Sequence, residues 1–474
     1  MNPLISNASD AVAWLRAQGI QRVEVVFADL TSVARGKVMD TASFAEALGA
    51  KMPSLLLGLT VTGGEPPDVF KRIFPPSFPD MALRPDWCTL VRCPLSRVPT
   101  ATVVCNLDAR FAAADGHADY DVAELSPRQL LQRTLARLED AGYQALVAPE
   151  LEFFLVHPER NAQGGLQVAH GMSGRVPHIE SSHDLASAET AQTFAPFFDD
   201  LWAACETQAI PISGYGHESA TGQYEVNFRP GRPLAQADAV FRFKRLAREF
   251  ARRHGCLATF MAKPYADEPG TGMHWHVSLS DQACGNAFSA TDGSAHPRLA
   301  HFIGGWQASA SGAMAILAPY AHSYLRIRRP DASPTHADWG LDDRTVAFRI
   351  PQSEPAKHRV EHRLPGGDAN PYLTLALLLG TGLIGMQQAL KPRPARSSTN
   401  ANSASAPCRK RWTKRSAHLR TARYRRRCWV PDLSGCMPWS NATNWRSRRR
   451  TPTLRCGICW CAVNLHEGAQ HLRA

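Results

Sequence analysis

Residues 263 to 278 read KPYADEPGTGMHWHVS and combine a cation, a glycine-rich approach and two histidines two positions apart. On a strand, successive side chains alternate faces, so His274 and His276 point to one side. The glycines ahead of them let backbone come close to a bulky anion, which suits a nucleotide with its metal. A second constellation, APELEFFL from 148 to 155, sets Glu150 and Glu152 two apart on an otherwise apolar strand. Both carboxylates then share a face, and burying two like charges together is costly unless cations neutralise them. Leu155 and Val156 continue the apolar run and argue against a solvated strand face.

Two more clusters carry charge. HESATGQYE, from 217 to 225, adds Glu218 and Glu225 beside Gly222, although alone it fits a polar loop equally well. Between Ser323 and Tyr372, Arg326, Arg344, Arg349, Arg359 and Arg363 surround Glu361. Arginine makes planar, bidentate contacts to carboxylate and phosphate. Scattered arginines more often form a solvated face, but Phe348, Ile350, Val360 and Leu364 interleave with these. Such alternation puts charge on one side of strands whose other side is packed.

The elements that must position these groups follow from pattern. A chain of 474 residues can bury a large core as two domains, or as one with additions. Met1 to Gln21 reads as a capped amphipathic helix with Asp10 and Arg16, not as an apolar signal core. Val23 to Asp29 alternates like a half-buried strand, and Arg35-Gly36-Lys37 looks like a turn into the next. Further strands are expected at Thr89 to Arg92 and Thr102 to Asn106, giving a small strand-rich domain over residues 1–107. A polar joint spans 108–125. Ser126-Pro127 then caps a helix whose Leu130, Leu131, Leu135 and Leu138 share a face and which Gly142 stops. The larger domain runs over residues 126–392. The longest apolar run, Tyr372 to Met386, is too short to cross a bilayer and carries several glycines, so a buried helix is expected and no membrane. Cysteines 88, 93, 105, 205, 256 and 284 show no tight pairing pattern and read as reduced thiols of a cytoplasmic protein.

The net charge of +11 divides unevenly. Residues 393–474 hold 18 of the 53 basic residues and only two of the 42 acidic ones, leaving the preceding body mildly acidic. The high pI therefore says little about the body. The tail also holds five Trp and six Cys, no Phe, and no apolar stripe of helical or strand period. A nucleic-acid arm would use this charge but not such scattered Trp and Cys. Deleting 393–474 would then remove a steeply salt-dependent nucleic-acid affinity. A zinc site could use Cys456, Cys459 and Cys461, but a second pair at ligand spacing is missing. Translation of a GC-rich gene in a shifted frame yields this mixture of Arg, Cys, Trp, Ser and Pro, and is the reading adopted for the tail.

In order along the chain, E-x-E, HE with GQ-x-E, GTGMHWH, SY-x-R, DRTVAFRIP, RVEHR and ANPYL resemble the glutamine synthetase family over roughly residues 20 to 390. The resemblance implies an α+β fold: an N-terminal β-grasp domain, then a catalytic α/β domain with a curved, mostly antiparallel sheet. It implies ATP and Mg²⁺ or Mn²⁺, two or more ions per site. Glu152, Glu218 and Glu225 would hold one cation, and Glu150, His274 and Glu361 another. Lys263, His276, Ser278 and Arg359 would fall on the nucleotide side. Arg326 and Gly270 would meet the acid substrate, glutamate, and Arg344, Arg349 and Arg363 the phosphoryl group in flight. Family members form homo-oligomeric rings, commonly dodecamers.

Departures bear on the substrate. Pro269-Gly270 stands where ammonia-using members have Asn-Gly, so one glutamate contact is missing or replaced. After Arg326 comes Arg328-Arg329-Pro330-Asp331, with no match for the flap Glu that selects ammonium. The chain thus looks more like the γ-glutamylputrescine, polyamine and monoamine ligases of the family than like a true glutamine synthetase. A glutamine synthetase using ammonia is the first alternative, and a member inactivated by its altered tail the second.

Overall fold

The structure, a computed structural model, describes residues 5–66, 70–74, 77–111, 119–169, 184–283, 285–328 and 333–396. The first layer is a mixed sheet in the order Ala34–Asp40, Arg22–Ala28, Thr100–Asp108, Asp80–Pro85, Ala50–Pro53, with Val91–Arg92 also on Thr100–Asp108. Its two central strands run parallel and the other pairs antiparallel, as expected for a β-grasp domain. Alternation explains why these central strands are apolar on both sides. Val23, Val25 and Phe27, with Ala101, Val103 and Cys105, face a small core that also takes Ala11 and Leu15 of helix Ala8–Ala17. Val26, Ala28 and Val104 face the larger core instead.

One local expectation is corrected. Arg35-Gly36-Lys37 is not a turn but lies within strand Ala34–Asp40, with Gly36 opposite Val26. The turn is Asp29 to Val33, where the Asp29 carboxylate accepts the N–H groups of Thr31 and Val33 at 2.9 and 2.8 Å. A Cβ on Gly36 would lie 2.1 Å from the Val25 carbonyl oxygen, so this glycine marks a close strand approach.

The second sheet runs Ile212–His217, Gln223–Phe228, Gln144–Val156, Met273–Ser280, Val360–His362, Phe348–Ile350, Trp339–Leu341, with Leu257–Thr259 also on Gln144–Val156. Every pair is antiparallel except the last in that order. Behind it lie helices Pro127–Asp140, Ala195–Thr207, Pro233–Arg253, Pro297–Leu317 and Pro371–Gln387, each with proline in its first turn, where a missing N–H costs nothing. The expected helix after Ser126 and the buried helix around Tyr372 to Met386 are both present. Among the described residues no helix is long and apolar enough to cross a membrane. The described body cysteines are free, and Cys284 lies outside the described residues.

Several polar ties join the domains, among them Arg245 on Glu24 at 2.6 Å and those made by Asn370 and Arg128. Asn370 caps helix Pro371–Gln387 through the N–H groups of Tyr372 and Leu373, while its Nδ2 donates to the carbonyls of Asp29 and Leu30 at 3.1 and 3.3 Å. Arg128, 2% exposed, donates to Asp238 twice at 2.9 Å, to Asp86 at 2.7 Å and to Asn106 at 2.8 Å, and the Tyr372 hydroxyl completes Asp238 at 2.7 Å. Beyond Pro392, the Arg393 N–H donates to Gln307 and that of Arg396 to the Trp339 carbonyl. The rest of the tail, with its candidate zinc cysteines and arginine runs, lies outside the described residues, as do residues 112–118 of the joint. Removing Arg128 would strand a buried carboxylate. Arg128→Ala is therefore expected to cost about 3–5 kcal/mol in urea unfolding, whereas an unchanged midpoint would show the tie is dispensable.

Candidate active site

Strand register assembles the site. Glu225 is opposite Glu152, His274 opposite Glu150, and His276 opposite Glu361, which is itself opposite Arg349. Five adjacent strands thus bring their polar alternate positions to one face, while Leu151, Phe153, Tyr224, Val226, Met273, Trp275 and Val277 are buried in the large core. Glu218 joins from the turn after strand Ile212–His217. Three groups have ligand atoms within 4.8 Å of one another: Glu152, Glu218 and Glu225; Glu150, Glu225 and His274; Glu150, His276 and Glu361. The glycines of the GTG segment allow close approach of both backbone and side chains, and a Cβ on Gly270 would lie 2.2 Å from the Ala262 carbonyl oxygen. A Cβ on Gly272 would lie 2.4 Å from His274 Nε2 and 2.9 Å from Arg326 Nη2, and one on Gly270 would lie 2.9 Å from Arg326 Cγ.

Charge is compensated unevenly. Fully buried Glu361 accepts from Arg349 Nη1 at 3.0 Å and from Arg363 Nη1. Burial pushes its pKa up, but His274, Arg363 and His276 outweigh that and hold it below the usual carboxylate range. Glu150 behaves alike: burial is outweighed by His274 and His276, the latter 2.9 Å from its Oε1. Glu218 and Glu225 have no such help. Burial and then neighbouring carboxylates, Glu152 first for Glu218 and Glu150 first for Glu225, push them up to about 7 and about 8. His274 is 4% exposed, and its Nδ1 lacks a hydrogen-bond partner while lying 3.7 and 3.6 Å from Glu150 and Glu361. Crowded carboxylates with one or two imidazole nitrogens fit a hard divalent cation such as Mg²⁺ or Mn²⁺.

The remaining expected residues spread around this centre. Buried Arg326, on the turn Ser323–Arg326, donates to the carbonyls of Leu364 and Arg363 at 2.9 and 3.2 Å, with Nε unpartnered. His276 lies within the carboxylate cluster rather than beside it, and Arg359 Nε approaches its Nδ1 at 3.4 Å. Ser278 donates to the His358 carbonyl at 2.9 Å. Lys263 donates to the Glu268 carbonyl, closing its own loop. Arg344 is not brought to the cluster; it sits exposed between strands Trp339–Leu341 and Phe348–Ile350.

A catalytic-domain profile of glutamine synthetase matches residues 124–423. The chain belongs to the glutamine synthetase family. Among curated relatives of this glutamine synthetase-family chain, γ-glutamylputrescine synthetase PuuA of Escherichia coli (strain K12) is 36% identical over 270 residues, 56% of each protein. This chain thus spans just over half of that relative's length. Glutamate–isopropylamine ligase of Pseudomonas sp is 29% identical over 385 residues, covering 80% of this chain and 81% of that protein. Glutamine synthetase of Thermus thermophilus is 30% identical over 387 residues, 80% of each. Among solved structures, a GmaS/ADP complex has 26% identity and a TM-score of 0.68, covering 82% of this chain and 83% of its own. An apo GmaS at 24% identity and the same TM-score supports the fold alone.

Sequence reading missed three supporting residues of this cluster: Gln223 on Glu152, Asn227 on Glu225 at 2.8 Å, and Asp342 on Arg349 at 2.5 Å. The signal for the first two was present, because Gln223, Glu225 and Asn227 alternate along one strand.

The raised carboxylates set a pH dependence. Their folded pKa values exceed the ordinary 4.5, so the cation-free fold binds extra protons and loses stability as pH rises from about 4.5 through about 8. A divalent cation displaces those protons. Mn²⁺ is therefore expected to raise the melting temperature more at pH 8 than at pH 6, and to release protons into weak buffer at pH 7. Equal shifts at both pH values would contradict this.

Proposed function

We propose that this chain is an ATP-dependent ligase joining the γ-carboxylate of glutamate to the nitrogen of an organic amine. The observation that carries the reading is the set of five glutamates and two histidines on one strand face and its adjoining turn, with Glu361 gripped by two arginines. A carboxylate does not accept an amine directly. The γ-phosphoryl of ATP would pass to the glutamate side chain, giving an acyl phosphate and ADP. The amine nitrogen would then form the new C–N bond, losing a proton as phosphate leaves.

Glu152, Glu218 and Glu225, and Glu150 with His274, His276 and Glu361, would hold the cations. Bound there, they would supply charge neutralisation of the phosphates. The chain's own groups do the rest of the positioning. Arg349 and Arg363 lie at Glu361, where they orient that carboxylate and leave positive charge near a transferring phosphoryl. Buried Arg326 has an unpartnered Nε for the α-carboxylate of glutamate, with Gly270 against its side chain. Lys263, His276, Ser278 and Arg359 border the nucleotide side, and Arg344, exposed at its turn, would have to move inward to take part.

Preference for an organic amine over ammonia rests on Pro269-Gly270 and on two relatives named for putrescine and isopropylamine. The reading extends to a homo-oligomer: edge strand Ala34–Asp40 leaves one side unpaired among the described residues, with Val38 56% exposed. A monomer by light scattering would remove that part. A cytoplasmic setting fits the free thiols.

The test is phosphate release from ATP, Mg²⁺ and glutamate with ammonium, putrescine, spermidine, isopropylamine or methylamine. Stimulation by an organic amine above ammonium is expected. Glu150→Ala and His274→Ala should each lower it by roughly 10²-fold or more while leaving the circular dichroism unchanged. Ammonium as the best substrate would make the chain a glutamine synthetase. No release with any amine by folded protein would refute the ligase.

A further inference from the structure

Gln223 touches every segment that builds one half of the centre. The side chain is 1% exposed and both of its polar atoms are engaged. Its Nε2 donates to Glu152 Oε2 at 2.9 Å and to the Gly270 carbonyl at 3.1 Å, and its Oε1 accepts the Ala220 N–H at 3.1 Å. Its backbone accepts the N–H of Glu218 at 2.8 Å. One residue therefore joins the strand carrying Glu150 and Glu152, the turn carrying Glu218, and the glycine segment against Arg326.

The geometry at Glu152 gives this contact a consequence. Oε2 also takes the Gly272 N–H at 2.8 Å, so two donors fix that oxygen on the Gly270–Gly272 side. Oε1 is left on the side of His274, 3.7 Å from its Nε2. Both hydrogens of one amide nitrogen are spent, one on a carboxylate of the cluster and one on a carbonyl of the glycine segment. A shift of Glu152 toward a cation must therefore move, or be resisted by, the Gly270 carbonyl.

We propose that Gln223 is a positioning residue that selects the Glu152 oxygen offered to a divalent cation and couples occupancy of that site to the conformation of Gly270–Gly272. The proposal rests on the cation-holding part of the proposed function. Groups that orient a ligating carboxylate commonly tune affinity by about 10–100-fold, and coupling between two sites is reciprocal. The amide is required because Glu152 and Gly270 both present oxygen to it. Glutamate at this position would meet each with a further oxygen, whereas methionine would remove the donors at similar length without adding charge.

The experiment uses Mn²⁺ alone on the full chain, without nucleotide or amine. Free Mn²⁺ is titrated by electron paramagnetic resonance for the unaltered chain and for Gln223→Met. Amide hydrogen exchange of the peptide spanning 263–273 is then followed with and without saturating Mn²⁺. Affinity is expected to fall roughly 10–100-fold in Gln223→Met, and the Mn²⁺-dependent slowing of exchange at Gly270 and Gly272 should be lost even at saturation. A merely structural glutamine would lower the melting temperature yet leave that slowing intact, which would overturn the coupling. Equal Mn²⁺ affinity in the two proteins would overturn the positioning role while leaving the cation reading in place. No Mn²⁺ binding by the unaltered chain would instead remove the cation reading and the proposal with it. Should Gln223→Met fail to fold, Gln223→Glu is judged by the same two readouts.

Discussion

Like charges held close together govern the larger domain. Five carboxylates, Glu150, Glu152, Glu218, Glu225 and Glu361, lie on one strand face and its adjoining turn, where low polarisability makes mutual repulsion expensive. The chain compensates only part of this. Two guanidinium groups and two imidazoles keep Glu361 and Glu150 ionised, whereas Glu218 and Glu225 rise to near-neutral pKa values. On the proposed function, the uncompensated half is the part that external cations would complete. On the same reading, protons on Glu218 and Glu225 would offset part of the repulsion while no cation is bound.

Such a face persists only because its reverse is packed. Phe153 lies within aromatic contact of Phe197, Phe198, Tyr224, Phe243 and Phe260. A one-residue slip of strand Gln144–Val156 would drive Glu150 and Glu152 into that cluster and Phe153 out of it, so the core enforces the register that gathers the carboxylates. The small domain is locked to this arrangement from behind, since its central strands bury one face in the same core and Arg128 and Asn370 bridge the joint.

Much of this was legible where the signal is local. Helix Pro127–Asp140 follows from Ser126-Pro127 and its leucine stripe, and the pairing of faces at Glu150/Glu152 and His274/His276 follows from strand alternation alone. Legibility failed where one residue type serves two ends. Gly36 was read as a turn but marks close packing between strands, and the GTG glycines, read as an anion approach, also make room for Arg326 and His274. Arg344 resembles its neighbours in sequence, yet its turn leaves it exposed, because facing depends on which residues of a strand are paired.

By itself, the sequence determined which side chains share a face within each strand, which segments must be buried, and, through ordered motifs, the family. Those are properties of the local chain, set by backbone geometry and hydrophobic pattern. Tertiary structure decided which faces meet. Gln223 and Glu152, 71 residues apart, touch only through antiparallel register, and His276 enters the carboxylate cluster because its strand lies beside that of Glu361. The division into charged and near-neutral carboxylates is tertiary too, since a pKa depends on burial and on charges that distant segments bring close.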